Sequence, residues 1–311
     1  MAADDPARAV PVVAVVGATA AGKTSLSIEL AESLGGEVIN TDAMQVYRGM
    51  DIGTAKAAPE ERRGVPHHLL DVLDIAEPLS VADFQERART LIAALRAARR
   101  TPVLVGGSAL YTRAILDRFE FPGTDPALRA RLEGELAEVG AVAMHERLRA
   151  VDPEAASRIL VDNARRTVRA LEVVELTGRP FSASLPTLEY ADPASVQIGV
   201  DIDRPSLDAR IVARVDAMFA AGFVDEVAAL VPRGLLASRT AAMAIGYREV
   251  AAALAGEITL EEARERTVVA TRRFARRQDA WFRKDPRIVW IPYDAPDRLE
   301  RALDAVRALA V

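Results

Sequence analysis

Val12-Val13-Ala14-Val15-Val16 runs straight into Gly17-Ala18-Thr19-Ala20-Ala21-Gly22-Lys23-Thr24, an apolar strand that breaks into a glycine-framed loop ending in Gly-Lys-Thr. A strand, a loop of this spacing and a helix in succession form a phosphate cradle. Backbone N–H groups converge on phosphate oxygens, Lys23 supplies a point charge, and the Thr24 hydroxyl can hold Mg2+. The helix that follows directs its positive end at the anion. The chain has 40 basic residues but only three lysines, Lys23, Lys56 and Lys284. One of them stands where a compact ammonium suits phosphate better than a planar guanidinium. A diphosphate or triphosphate group is therefore expected to bind at residues 17–24.

Short apolar segments recur between helical stretches at residues 12–16, 37–41, 102–106, 196–202 and 287–292. That alternation predicts an α/β fold of the P-loop type, with a mostly parallel sheet and helices on both faces. Ser80 is placed to cap a helix over the periodic segment that follows it. Ligands of such sheets gather beyond the carboxyl ends of the strands, and Thr24, Asp42 and Gly106-Gly107-Ser108 all follow strand ends. From 120 to 190 the alternation stops, and Asp125-Pro126 opens a helical stretch rich in Ala, Leu, Arg and Glu. The predicted organisation is a loose tail at 1–9, a core domain from 10–119 and 191–311, and an inserted helical subdomain at 120–190.

Composition narrows the function. Zero cysteines exclude disulfides and thiolate zinc sites, and three histidines leave little for a histidine metal site, so any metal is expected to be Mg2+ held by oxygen. No apolar run approaches a membrane span and the start lacks a signal pattern, so a cytoplasmic protein is expected. A net charge of −5 argues against indiscriminate polyanion binding. Locally the balance reverses, because residues 264–284 carry eight basic side chains against two acidic ones. Such clustering is either a nucleic-acid contact or a solvated helix face. Phe274, Trp281 and Phe282 beside this stripe read as core.

Asp42 follows the second strand and faces the phosphate loop. A carboxylate there could hold Mg2+, accept a proton from an incoming nucleophile, or simply cap a helix.

The motifs GATAAGKT, NTDAMQVYRGMDIGTAK, VPHHLLDVLDIAEPLSVADF, VLVGGSALY, RALEVVELTGRPFS, AIGYREV and TRRFARRQDAWFRKD together resemble the tRNA dimethylallyltransferase family, also called tRNA isopentenyltransferases. The match runs in order from about residue 11 to residue 291. This resemblance implies transfer of a dimethylallyl group from dimethylallyl diphosphate to N6 of adenosine 37 of tRNA, with Mg2+ present. It implies Asp42, Lys23 and Thr24 as catalytic, and Gly17, Ala18, Thr19, Ala20, Ala21, Gly22, Lys23, Thr24 and Arg248 as diphosphate-binding. Asp42, Ala43, Met44, Gln45, Ser108, Arg129, Arg165, Arg166, Arg169, Arg276 and Gln278 are implied to bind the tRNA anticodon loop. Arg239, Arg248, Arg276 and Gln278 all fall in the later motifs, and their division between the diphosphate and the tRNA backbone is left open.

Two features depart from the family. Ala109 replaces the last glycine of the usual Gly-Gly-[Thr/Ser]-Gly-Leu-Tyr turn, and no cysteines are present for the C-terminal zinc finger of eukaryotic relatives, so the chain resembles the shorter bacterial form. His67 and His68 read as structural, and a monomer is expected. Rival readings are a small-metabolite P-loop kinase, an adenylate isopentenyltransferase acting on free nucleotide, and a non-enzymatic nucleotide-switched RNA-binding module, for which the sequence has no guanine-reading motif.

Overall fold

The structure is a computed structural model and describes residues 9–119, 121–184 and 188–309. The tail expected at 1–9 lies, except for its last residue, outside the described residues. Strands β1 (Val12–Val16), β2 (Glu37–Asn40), β3 (His67–His68), β4 (Pro102–Val105), β5 (Ser195–Asp201) and β6 (Ile288–Pro292) form one sheet in the order β3-β2-β4-β1-β5-β6. Every pairing in it is parallel. β1 is central because all five of its residues are apolar and buried, as a strand covered on both faces must be. It sets Val13 against Val103 of β4 and Val15 against Ile198 of β5. β3 is absent from the periodicity, since two residues carry none.

Helices α1 (Lys23–Ser33), α2 (Val81–Ala97) and α3 (Ala109–Leu116) lie in the first part of the chain. Next come α4 (Pro126–Val151), α5 (Pro153–Arg158) and α6 (Ala164–Thr177). After β5 follow α7 (Arg204–Ala220), α8 (Phe223–Leu230), α9 (Tyr247–Leu254), α10 (Leu260–Phe282) and α11 (Arg298–Ala308). Ser80 caps α2 by accepting the Asp83 N–H at 3.0 Å, and Asp125 caps α4 by accepting from Ala127 at 2.8 Å. No helix among the described residues is long and apolar enough to cross a membrane.

The chain divides into two compact units, Met1–Leu116 with Asp192–Val311, and Asp117–Ala191. In the first, Val13, Val15, Leu26, Leu30, Val103 and Ile198 pack the sheet against α1. On another side of this unit, Leu207, Ile211 and Val215 of α7 pack with Val268 and Ala275 of α10, which fixes the rotation of α7 about its axis. Truncating Ile211 to Ala there would cost about 2–5 kcal/mol.

The second unit has its own core of Leu132, Met144, Leu148, Val168 and Leu171. Gly140, at φ 81°, breaks α4 into two segments, a backbone state that glycine adopts without a Cβ penalty.

Candidate active site

The phosphate loop owes its shape to positions where side chains would fail. Gly17 has φ 136°, and a Cβ there would come within 3.1 Å of the Val200 carbonyl oxygen. Gly22, at φ 104°, precedes α1, whose first N–H groups receive no side-chain cap and stay available to an anion. Ala20 also sits at positive φ, and the loop residues Ala18 and Ala21 are buried. The Lys23 ammonium donates to the Ala18 carbonyl at 2.6 Å. Burial above all, then the positive field of Arg214, lower its pKa to about 7, against the opposing pull of Asp42.

Asp42 stands opposite this loop in a shared cavity of about 60 Å³, whose wall includes Thr19, Lys23, Thr24, Gln45 and Gly107. One Asp42 carboxylate oxygen accepts the Met44 N–H at 2.9 Å, and the Asp42 N–H donates to the Asn40 side chain at 2.8 Å. The turn after β2 thus holds the carboxylate, while the second oxygen has no hydrogen-bond partner among the described residues. Gln45 donates to the carbonyls of Thr54 at 3.0 Å and Ala55 at 3.2 Å. Those carbonyls belong to a turn fixed from α8, where the Glu226 carboxylate accepts the N–H groups of Asp51, Ile52 and Gly53 at 2.8, 2.7 and 3.0 Å. The Tyr247 hydroxyl also donates to Glu226 at 2.7 Å. Burial, and then the Glu226 charge, push the Tyr247 pKa up.

A second chamber of about 250 Å³ is also lined by Thr19 and Asp42, and its other walls include Met44, Val215, Met218, Met243, Ile245 and Phe274. Here a carboxylate borders an apolar space. Beside the loop, a polar cavity of about 230 Å³ is lined by Ala20, Gly22, Lys23, Thr24, Arg210 and Arg214.

Arg210 and Arg214 are the site residues that the motif reading missed. They lie one turn apart on α7, so both guanidinium groups project to one face. Like charges at that spacing repel, and an anion bound between them would offset that repulsion. Burial lowers the pKa of Arg214 and Asp42 opposes it. Two arginines at i and i+4 on α7 were the available signal, but only the packing of α7 on α10 aims them at the loop.

Gln278 comes out differently from the RNA contact expected of it. It is 6 % exposed, and both ends of its amide are committed. Its oxygen accepts the Thr19 N–H at 2.8 Å and its nitrogen donates to the Gly107 carbonyl at 2.8 Å. Gln278 therefore ties the phosphate loop to the turn after β4. At that turn a Cβ on Gly106 would run into Thr41 and one on Gly107 into Gln278. Ala109 sits one step beyond these close approaches, as the first residue of α3, where a Cβ fits.

Arg248 also departs from expectation. It is exposed on α9, donates to the Ala242 carbonyl at 2.9 Å, and lines none of the four cavities around the loop. Ala43 and Ser108 are half-buried and likewise outside the cavity walls. Trp281 is not core but 51 % exposed, with the Lys284 ammonium 5.6 Å from its ring. Phe282 is buried and Phe274 lines the apolar chamber. The His67 Nδ1–H donates to the Val65 carbonyl at 2.8 Å, and His68 Nε2 lies 2.7 Å from the Glu37 carboxylate.

In the helical unit, Arg129 and Arg169 converge on the buried carboxylate of Glu172, Arg129 Nε at 3.0 Å and Arg169 Nη1 at 2.7 Å. Burial would raise the Glu172 pKa, but the two guanidinium groups outweigh it and hold the carboxyl below its usual range. Arg165 and Arg166 are exposed. On α10, Arg273, Arg276 and Arg277 are exposed, whereas Arg264 and Arg283 are drawn into ion pairs with Asp216 and Asp201. Arg239 is exposed.

Thr24 and Asp42 bring oxygen donors to the loop cavity, beside Lys23, His67 and Arg214. Among the described residues no cluster of three His, Cys, Asp or Glu exists to hold a metal unaided. That donor set suits Mg2+ shared with diphosphate oxygens.

The model of the IPP transferase family matches residues 45–285. A tRNA dimethylallyltransferase of a Nocardioides species is 72% identical over 298 residues, covering 96% of this chain and 96% of that protein. The enzyme of the same name from Thermobifida fusca is 59% identical, covering 95% and 94%. Among solved structures, the tRNA isopentenylpyrophosphate transferase of Bacillus halodurans is 41% identical with a TM-score of 0.69, covering 97% of this chain and 96% of that one. A eukaryotic dimethylallyltransferase acting on tRNA is 26% identical with a TM-score of 0.81, covering 96% and 78%.

Proposed function

This chain belongs to the IPP transferase family, and from that premise we propose that it transfers a dimethylallyl group from dimethylallyl diphosphate to N6 of adenosine 37 in tRNA. One observation carries the reading: Asp42 shares a cavity with Lys23 and Thr24, so an acceptor for a proton and a cradle for a diphosphate border the same space.

The chemistry follows from that juxtaposition. The loop N–H groups, Lys23, Arg210 and Arg214 hold the diphosphate and stabilise the charge that grows on it as the allylic C–O bond breaks. The Thr19 N–H is spent on Gln278, which sets the loop's geometry rather than binding phosphate. Mg2+, held by Thr24 and diphosphate oxygens with Asp42 at the same cavity, would add further charge neutralisation. The N6 amine, whose lone pair is spread into the purine ring, forms the new C–N bond. Its proton passes to the second oxygen of Asp42, and diphosphate leaves. A general base in this position contributes about 10²–10⁴ in rate. Met44, Val215 and Phe274 keep water from the allylic carbon.

An adenine stacked within an anticodon loop cannot reach such a carbon, so the base must be extruded. We assign the hold on the surrounding loop to Arg165 and Arg166, whose exposed guanidinium groups suit phosphates, and to Arg276 on α10. Arg129 and Arg169 add a cluster of net positive charge around Glu172. Met44 and Gln45 line the spaces at Asp42 where the base would arrive. The working unit in this reading is a single cytoplasmic chain.

A metabolite kinase would use the same loop but gives the helical unit no role, and a nucleotide prenyltransferase would not need the exposed arginines. Labelled dimethylallyl diphosphate offered with unmodified tRNA, AMP, or ATP plus metabolites separates them. Label in tRNA alone supports the proposal; ATP turnover without tRNA labelling overturns it.

A further inference from the structure

α7 separates two spaces of different size. Outside the phosphate loop lies a cavity of about 1010 Å³ that Thr24 and Arg214 border. On the Asp42 side lies the apolar chamber of about 250 Å³. Arg214 and Met218 are the two residues common to both walls, and they stand one turn apart on the same face of α7. Arg214 supplies charge to this partition. Met218, 8 % exposed, supplies its apolar part.

We propose that Met218 sets the length of the prenyl donor at five carbons, an inference that rests on the donor assigned above. With the diphosphate at Lys23 and Arg214, the allylic carbon must lie toward Asp42, and the hydrocarbon behind it enters the chamber that Val215 and Phe274 also line. A chain five carbons longer meets the Met218 thioether. Beyond that side chain the larger cavity is bordered by Ile28, Ile52, Ala217 and Ala221, apolar residues able to receive the extra isoprene unit, together with the charged Asp51, Lys56, Arg62, Arg63 and Asp71. Ala217 and Ala221 are small, so the partition beside them is one side chain thick. Methionine is unbranched and adaptable, which makes it a wall that closes around a short tail and one that truncation removes without disturbing the helix.

The test compares dimethylallyl and geranyl diphosphate as donors to unmodified tRNA. In Met218→Ala the ratio of kcat/KM for geranyl over dimethylallyl should rise at least about tenfold above wild type, the scale on which apolar pockets discriminate chain length. Met218→Phe should lower it. Met243→Ala is the opposing arm, since Met243 lines the same chamber but is 65 % exposed. A gain confined to Met243→Ala would mean that the tail points outward and would overturn the proposal. So would an unchanged ratio in a Met218→Ala enzyme that still transfers dimethylallyl. If Met218→Ala fails to fold, Met218→Val carries the same comparison. A wild-type enzyme that transfers no dimethylallyl group to tRNA would instead remove the reading beneath the inference.

Discussion

Gln278 Oε1 accepts the backbone N–H of Thr19 at 2.8 Å, across 259 residues of sequence, so a side chain of α10 sets the conformation of the phosphate loop. The other end of the same amide holds the Gly107 carbonyl at 2.8 Å. Gln278→Ala is expected to raise KM for dimethylallyl diphosphate about tenfold, the scale of one hydrogen bond of about 1 kcal/mol with some loss of loop order. KM for tRNA should hold steady. A rise in KM for tRNA alone, measured by steady-state kinetics, would return Gln278 to the RNA interface.

Asp42→Asn keeps an oxygen for the Met44 N–H but cannot take a proton. Turnover should fall by about 10²–10⁴, while filter binding with tRNA and equilibrium binding of diphosphate stay near wild-type values. Equal losses in binding and turnover would mean that Asp42 only shapes its turn.

The lowered pKa of Lys23, about 7, gives donor binding a pH dependence of definite sign. Below pH 7 the ammonium is already charged. Above it the free enzyme holds a neutral amine, and an arriving diphosphate favours the charged form, so binding must take up a proton. Affinity for the donor should therefore weaken as pH rises from 7 toward 9. Calorimetry at pH 8 in buffers of different ionisation enthalpy should show up to one proton taken up per donor, and Lys23→Met should abolish it. Uptake that persists in Lys23→Met would assign the proton elsewhere.

Arg165→Glu with Arg166→Glu should weaken tRNA binding and flatten its salt dependence. If each side chain contacts one phosphate of a single-stranded loop, the slope of log K against log salt should shrink by about 0.7 per contact. Weaker binding with the slope unchanged would place both arginines outside the interface.

The sheet, the loop and the caps were legible because local chemistry dictates them. A glycine at φ 104°, Asp125 before Pro126, or five apolar residues in a row each express a preference of the segment itself. β3 was not legible, since His67-His68 becomes a strand only by lying beside Val38 and Ile39. Arg248 and Gln278 show the same limit at the site. A motif reports that a side chain occurs in a segment, but its partner depends on what packs there. Gln278 is turned inward to the loop, and Arg248 is held at the surface by the Ala242 carbonyl.

The sequence by itself determined that a phosphate cradle opens a parallel sheet, that an acidic residue follows the next strand, and that a helical segment interrupts the chain. These are short-range properties, fixed by glycine, proline and the spacing of apolar residues. Only the tertiary structure decided that Arg210, Arg214 and Met218 turn from α7 toward the loop. The aim of a side chain depends on the rotation of its helix, and Leu207, Ile211 and Val215, packed with Val268 and Ala275 of a distant helix, set that rotation.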